Sequence, residues 1–269
     1  MNRLFRELAP ISDAAWGEID SEATSQLTHF LAARKLVDFV GPCGWAHSAV
    51  SKGRAEPRDD SPFPGITAAQ RQVLPLLELR RPLTLDRSEL EAVDRGASDA
   101  DLDPLAEACR ELALAEDSLV FNGYEAAGIV GIGAASPHEA LALSDEFDRY
   151  PNHVAQAVAL LKGAGVGGPY AIALGPRCYR GVIETTERGG YPILQHLHLI
   201  LGGPVIWAPA VDGAIVLSQR GGDFELTVGQ DISIAYKSHD ADTVTLELQE
   251  SVAFQAPSPE AAIPLRYAD

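Results

Sequence analysis

Helical and strand periods occupy different parts of this chain, and the changeover between them marks its elements. From residue 13 to 36, Trp16, Ile19, Ala23, Leu27, Phe30 and Leu31 recur at spacings of three and four. That period predicts an amphipathic helix with Asp13 as its N-cap. Residues 41–85 read as extended and interrupted, punctuated by Gly41-Pro42, Gly44, Gly53, Pro57, Asp59-Asp60, Pro62, Pro64 and Gly65. Pro75 inside the run Gln72–Arg80 points to an edge strand or a bulge, and a projecting β-hairpin accounts for the whole stretch. A short helix is predicted to begin within Leu85–Leu90. A longer one follows, with Asp103 as N-cap and Pro104 at its first position. Leu105, Cys109, Leu112, Ala115, Leu119 and Val120 carry it to about Tyr124, a long helix on which a sheet can lie.

Between 128 and 220 the pattern alternates. Helices are predicted at Pro151–Leu161, Pro176–Glu187 and Pro192–Leu201, and apolar strands at Tyr170–Leu174, Val205–Ala208 and Ala214–Ser218. Near the end, Ile232, Ile234 and Tyr236 alternate with polar residues. After a turn at Lys237–Asp242, Val244, Leu246, Leu248, Val252 and Phe254 do the same. Period two predicts strands with one packed face and one free face.

Composition narrows the partners. The 269 residues are enough for one large or two modest domains, and a hydrophobic content of 46% supplies a core. Asp and Glu number 38 against 21 Lys and Arg, a formal charge of −17. A surface of that sign repels phosphate backbones, so nucleic acid is not expected as a direct partner. No apolar run of signal-peptide or membrane-spanning length is present, so no membrane association is expected. Cys43, Cys109 and Cys178 form no CxxC and are odd in number, which points to a reducing, cytoplasmic compartment.

Candidate chemistry is sparse. The glycine clusters 128–133 and 163–168 match neither phosphate-loop spacing. His196 and His198 are two apart, on different faces of any helix, so they do not chelate one metal and no metal site is predicted. No nucleophile–base constellation is present, so no catalytic residue is nominated and the chain is read as a non-enzyme. The acidic pairs Asp59-Asp60 and Glu116-Asp117 read as solvated surface.

The stretches Arg220–Tyr236 and Thr243–Phe254 closely resemble the C-terminal signature of the encapsulins of family 1. These are prokaryotic nanocompartment shell proteins, labelled linocin-type bacteriocins in older usage. Leu4–Ile11, Ala15–Ile19, Leu83–Asp86, Asp94–Gly96, Ala115–Asp117, Phe121–Tyr124 and Pro204–Ile215 resemble that family in order along the chain. The resemblance implies an α+β fold of the tailed-phage major-capsid type. Its parts would be an N-terminal helical arm (1–40), a peripheral domain with a spine helix (41–49, 82–130 and 221–269), an extended loop (50–81) and an axial domain (131–220). It also implies a structural role. The partners would be the chain itself, about 60 copies forming an icosahedral particle, and a cargo enzyme held by a C-terminal targeting peptide. A dye-decolorising peroxidase or a ferritin-like iron-storage protein is the implied cargo, which would link the particle to oxidative stress and iron storage.

By the same resemblance, Phe30, Arg34, Asp38, Asp231, Ile232 and Ile234 would receive the peptide. Glu184, Thr185, Thr186, Glu187, Arg188, Gly189 and Gly190 would ring a five-fold pore. Some encapsulins bind flavin through a Trp in the segment equivalent to 85–90. That segment has no Trp here, so no flavin or other cofactor is expected. The alternatives are a phage or prophage major capsid protein, which the acidic charge disfavours, and, further off, a bacteriocin or protease.

Overall fold

A computed structural model describes residues 3–187 and 189–267. In chain order the elements begin with α1 (Asp13–Phe30), β1 (Asp38–Val40), β2 (Ala49–Arg58), β3 (Ala68–Pro75), β4 (Leu77–Asp86), α2 (Arg87–Asp94) and α3 (Asp103–Phe121). Next are β5 (Gly123–Tyr124), β6 (Ile129–Val130), α4 (Ile132–Ala135), β7 (Leu141–Leu143), α5 (Tyr150–Gly163), β8 (Tyr170–Leu174), α6 (Pro176–Glu184) and α7 (Ile193–Leu201). The last are β9 (Val205–Trp207), β10 (Ala214–Ser218), β11 (Glu225–Val228), β12 (Ser233–His239), β13 (Thr243–Gln255) and β14 (Ala262–Tyr267).

Two five-stranded sheets carry the fold. The first is organised by β13. Antiparallel β4 runs along one edge of it, from Thr243↔Asp86 to Val252↔Leu77. Along the other edge lie β12 and then β11, with β1 parallel to β11. The second sheet has the order β7-β14-β10-β8-β9. The strand β14 therefore joins the second sheet, although it follows β13 of the first in sequence. Its run Ala262–Leu265 is fully buried and pairs with the equally apolar β10, an edge that would otherwise stay open. Hairpin β2–β3 pairs only with itself.

One core lies beneath α1 and α3, where Trp16, Ile19, Leu105, Cys109 and Leu112 meet Leu83, Leu85, Ile234, Val244, Leu246 and Leu248 of the first sheet. The other surrounds the second sheet and takes in Ala32, Ala33 and Leu36 of the segment after α1.

Several sequence expectations need correction. Ser12, not Asp13, caps α1, its hydroxyl accepting the Ala15 N–H at 3.1 Å. Asp103 is already helical, with Leu102 before it. Pro75 does lie in an edge strand, closing β3 of the two-stranded hairpin, but β4 begins at Leu77, so the run Gln72–Arg80 is two strands rather than one. No face of β13 is free between Leu246 and Phe254, where every residue is buried, because side chains of the flanking strands lie over its polar face. Arg80 and Lys237, for example, close over the nearly buried Glu247 at 3.6 and 3.3 Å.

Candidate functional site

The joint after α1 is set by two acidic residues of α3. The apolar stripe runs past residue 30, but Leu31 turns extended and residues 33–35 form a single 3-10 turn. The Asp117 carboxylate causes this, accepting the backbone N–H of Ala32 at 3.0 Å and of Ala33 at 2.8 Å. A carboxylate 84 residues downstream thus does what a local cap does elsewhere. Burial pushes the Asp117 carboxyl up to about 7, against the opposing pull of those two N–H groups.

The next residue, Arg34, faces Glu116. Its Nε lies 2.9 Å from both Glu116 carboxylate oxygens and its Nη2 is 2.5 Å from Oε2. Nη1 donates to Asp231 Oδ1 at 2.8 Å, and Nη2 reaches Glu250 Oε2 at 3.3 Å. Burial opposes the guanidinium charge. The hydrogen bonds to Glu116 and Asp231 outweigh it and hold Arg34 more firmly protonated than usual. Glu116 and Asp117 are both fully buried, correcting their reading as solvated surface. Adjacent helix positions can both be buried only where a helix is covered on two sides, here by the 31–36 segment and by β13.

Arg34 stands at the lip of a cleft of about 400 Å³ whose walls include Thr24, Leu27, Thr28 and Leu31 on one side and Asp231 and Ile232 on the other. Three of the six expected peptide-site residues, Arg34, Asp231 and Ile232, therefore share one cleft. The others do not line it. Ile234 is 5% exposed and belongs to the core beneath α1 and α3. Phe30 packs against His29, Trp207 and Arg110, with ring centroids 4.9 and 5.5 Å away for the first two and the guanidinium 5.8 Å away. Asp38 accepts the Gly222 N–H at 2.5 Å and borders a separate cleft of about 210 Å³, which Arg34 also touches.

Sequence reading missed Leu27 and Leu31 as walls and Glu116 and Glu250 as supports. Glu250 left a signal. It occupies the inward phase of the series Val244, Leu246, Leu248, Val252, Phe254, where an apolar residue belongs.

The loop after α6 is compact. The helix stops at Glu184 rather than 187, because Thr186 bridges to Pro192 and the Ile193 N–H donates to Thr185 O at 3.3 Å. Gly190, at φ +79°, donates to Glu187 O at 2.7 Å, and Tyr191 O accepts the Glu187 N–H at 2.9 Å. Glu187 Oε1 lies 2.5 Å from His196 Nδ1, a partner the sequence did not indicate. Thr185, Thr186, Glu187, Gly189 and Gly190 thus form one tight turn beside Glu184, and Arg188 lies outside the described residues. His198 is turned from His196, its Nδ1 lying 3.2 Å from Gly203 O. Among the described residues, no cluster of three His, Cys, Asp or Glu has metal-binding geometry, and no helix is long and apolar enough to cross a membrane.

A family model described as "Encapsulating protein for peroxidase" matches residues 1–253. The type 1 encapsulin shell protein of Rhodospirillum rubrum is 55% identical over 271 residues, covering 99% of this chain and 97% of that one. Among solved structures, a virus-like particle from Pyrococcus furiosus superposes with a TM-score of 0.67 at 16% identity, covering 93% of this chain and 99% of its own. The capsid of the myovirus XM1 does so at 0.53 and 13% identity, covering 87% and 90%. The α+β architecture is therefore that of tailed-phage capsid proteins. With a family model over nearly all its length and a relative more than half identical along it, the chain belongs to the type 1 encapsulin shell proteins, structural rather than catalytic subunits of capsid-like particles.

Proposed function

We propose that the particle built from this chain encloses a cargo enzyme, and that a C-terminal targeting peptide of that enzyme lies in the cleft between α1 and the 231–232 turn. One observation carries the reading: the cleft joins an apolar wall of Leu27, Leu31 and Ile232 to a fixed cation, Arg34, beside a half-exposed carboxylate, Asp231. An extended peptide needs that combination, apolar contacts for affinity and charges for register. Each site can be weak, since an oligomeric cargo meets many copies at once.

In the same reading about 60 copies close an icosahedral shell in the cytoplasm. The first-sheet region, 41–49, 82–130 and 221–261, is peripheral. Residues 50–81 are the extended loop, and 131–220 with β14 are axial. The turn 184–190 repeats around a five-fold pore, where a ring of Glu187 side chains would sort ions by sign and size. A peroxidase of the dye-decolorising kind is the first candidate cargo, in keeping with the family's description, and a ferritin-like iron-storage protein is the second.

Mass spectrometry of native particles identifies the cargo. Ile232→Glu and Leu27→Glu, in particles that still assemble, are expected to reduce the co-purified enzyme at least roughly tenfold, the effect of about 1.4 kcal/mol per site. Cargo retained at the wild-type level by both variants would remove the cleft from the proposal.

A further inference from the structure

One guanidinium meets three carboxylates where the arm joins the first sheet. Glu116 and Glu250 are 0% and 2% exposed, and the Asp231 side chain is 42% exposed. If all three were ionised, Arg34 would leave two negative charges uncompensated in a site closed to water on two of its three acids. A buried group in that position neutralises itself rather than remain charged. The geometry shows which one. Glu116 takes a two-pronged hydrogen bond, and Asp231 reaches solvent and also accepts the Ile232 N–H at 2.8 Å. Glu250 has one long contact to Arg34, and its Oε1 is buried with no hydrogen-bond partner among the described residues. Burial, and then the neighbouring Glu116, push its carboxyl well above the ordinary range, with Arg34 opposing.

The charged groups facing Glu250 are Arg34 from the arm, Glu116 from α3 and Asp231 from the turn before β12. On β4 its cross-strand neighbour is Leu79. Arg80 bonds Glu78 and Glu247 on the opposite face of the sheet. Asp117 is engaged with the arm backbone.

We propose that Glu250 holds a proton in the folded protein and acts as a positioning residue for Arg34, forming a proton-dependent latch between the N-terminal arm and the sheet. Protonated, it lets a single guanidinium serve Glu116 and Asp231. Ionised as pH rises, it competes with Glu116 for Nη2, the two-pronged grip on Glu116 weakens, and the 31–37 segment loosens. None of this depends on what the cleft binds.

Two measurements on assembled particles test the latch. Difference infrared spectroscopy is expected to show a protonated-carboxyl stretch that persists at neutral pH and fades in the alkaline range. Glu250→Gln, which keeps the shape of the neutral acid, should remove that component. Hydrogen exchange of the peptide spanning 31–40, corrected for the intrinsic pH dependence, should show protection that wild type loses as pH rises and Glu250→Gln retains. Asp117→Asn removes the second buried acid from the spectrum. An alkaline-fading band that remains in that variant supports the latch even if Glu250→Gln fails to assemble. A wild-type spectrum with no protonated carboxyl beyond that of Asp117 overturns it, as does parallel loss of protection in wild type and Glu250→Gln.

Discussion

Asp117 and Arg34 both tie the arm joint to α3, Asp117 through the arm backbone and Arg34 through the Glu116 carboxylate. The folded value of Asp117, about 7, lies above its ordinary 3.8, so the folded state binds this proton more tightly than the unfolded chain does. Its contribution to stability is complete below the unfolded value and is lost as pH rises through about 7. Asp117→Asn keeps an acceptor for the Ala33 N–H but no longer titrates. Its urea-unfolding midpoint is expected to change less than that of wild type between about pH 4 and pH 7. Parallel profiles for the two proteins would refute the assignment.

Arg34→Ala acts through the partner it abandons. With Glu116 left buried and unpaired, the variant should lose about 3–5 kcal/mol. Arg34→Lys should recover only part of this, because an ammonium cannot hold both Glu116 oxygens in a fork. Equal stability of Arg34→Ala and wild type in urea would show that the ion cluster contributes nothing. Arg34 was reachable from the sequence only through its family resemblance. Glu116 and Asp117 were hidden because a 3.6 period describes one covered face, and α3 is covered on two.

Among the elements, those that are apolar throughout were the most legible. The runs Tyr170–Leu174 and Ala214–Ser218 are buried at every position, and their ends coincide with the strands read from sequence. Elements whose limits depend on distant contacts were read less well. The stripe of α1 continues through Leu31 and Leu36, and only the capture of Ala32 and Ala33 by Asp117 stops the helix at Phe30. In β13 the alternation was correct, but the inference of a free face was not, since a central strand can carry polar residues that neighbouring side chains cover. The packed phase of β13 should therefore carry most of its stability. Leu246, 0% exposed and opposite Leu83, is the sharpest probe. Leu246→Ala is expected to cost about 2–5 kcal/mol by thermal or urea unfolding, and Thr243→Ala at the strand's edge less than about 1 kcal/mol. Similar losses at the two positions would mean that the inward phase of β13 is not the packed one.

The whole molecule leaves one element without internal support. From Ser51 to Val73 the β2–β3 hairpin is exposed nearly throughout, with Phe63 69%, Ile66 56% and Val73 49% exposed, and Leu74 is anchored at its root. A two-stranded ribbon is marginal alone in water, and its open edges invite pairing. A closed shell needs large interfaces between copies of the chain, and this hairpin is the surface expected to supply one. The hairpin should then matter little to the subunit and greatly to the assembly. Replacing residues 52–71 with a short Gly-containing turn removes neither sheet and no member of either buried core. The shortened chain is expected to keep its far-UV circular dichroism outside the lost strands and a cooperative melt, yet to sediment as monomers or small oligomers. Phe63→Asp with Ile66→Asp, which preserves the hairpin's length, should weaken assembly in the same direction if apolar contact at the tip is what joins the copies. Full-size particles from the shortened chain would show that the shell closes through other surfaces, and a chain that no longer melts cooperatively would show that the hairpin belongs to the subunit's own fold.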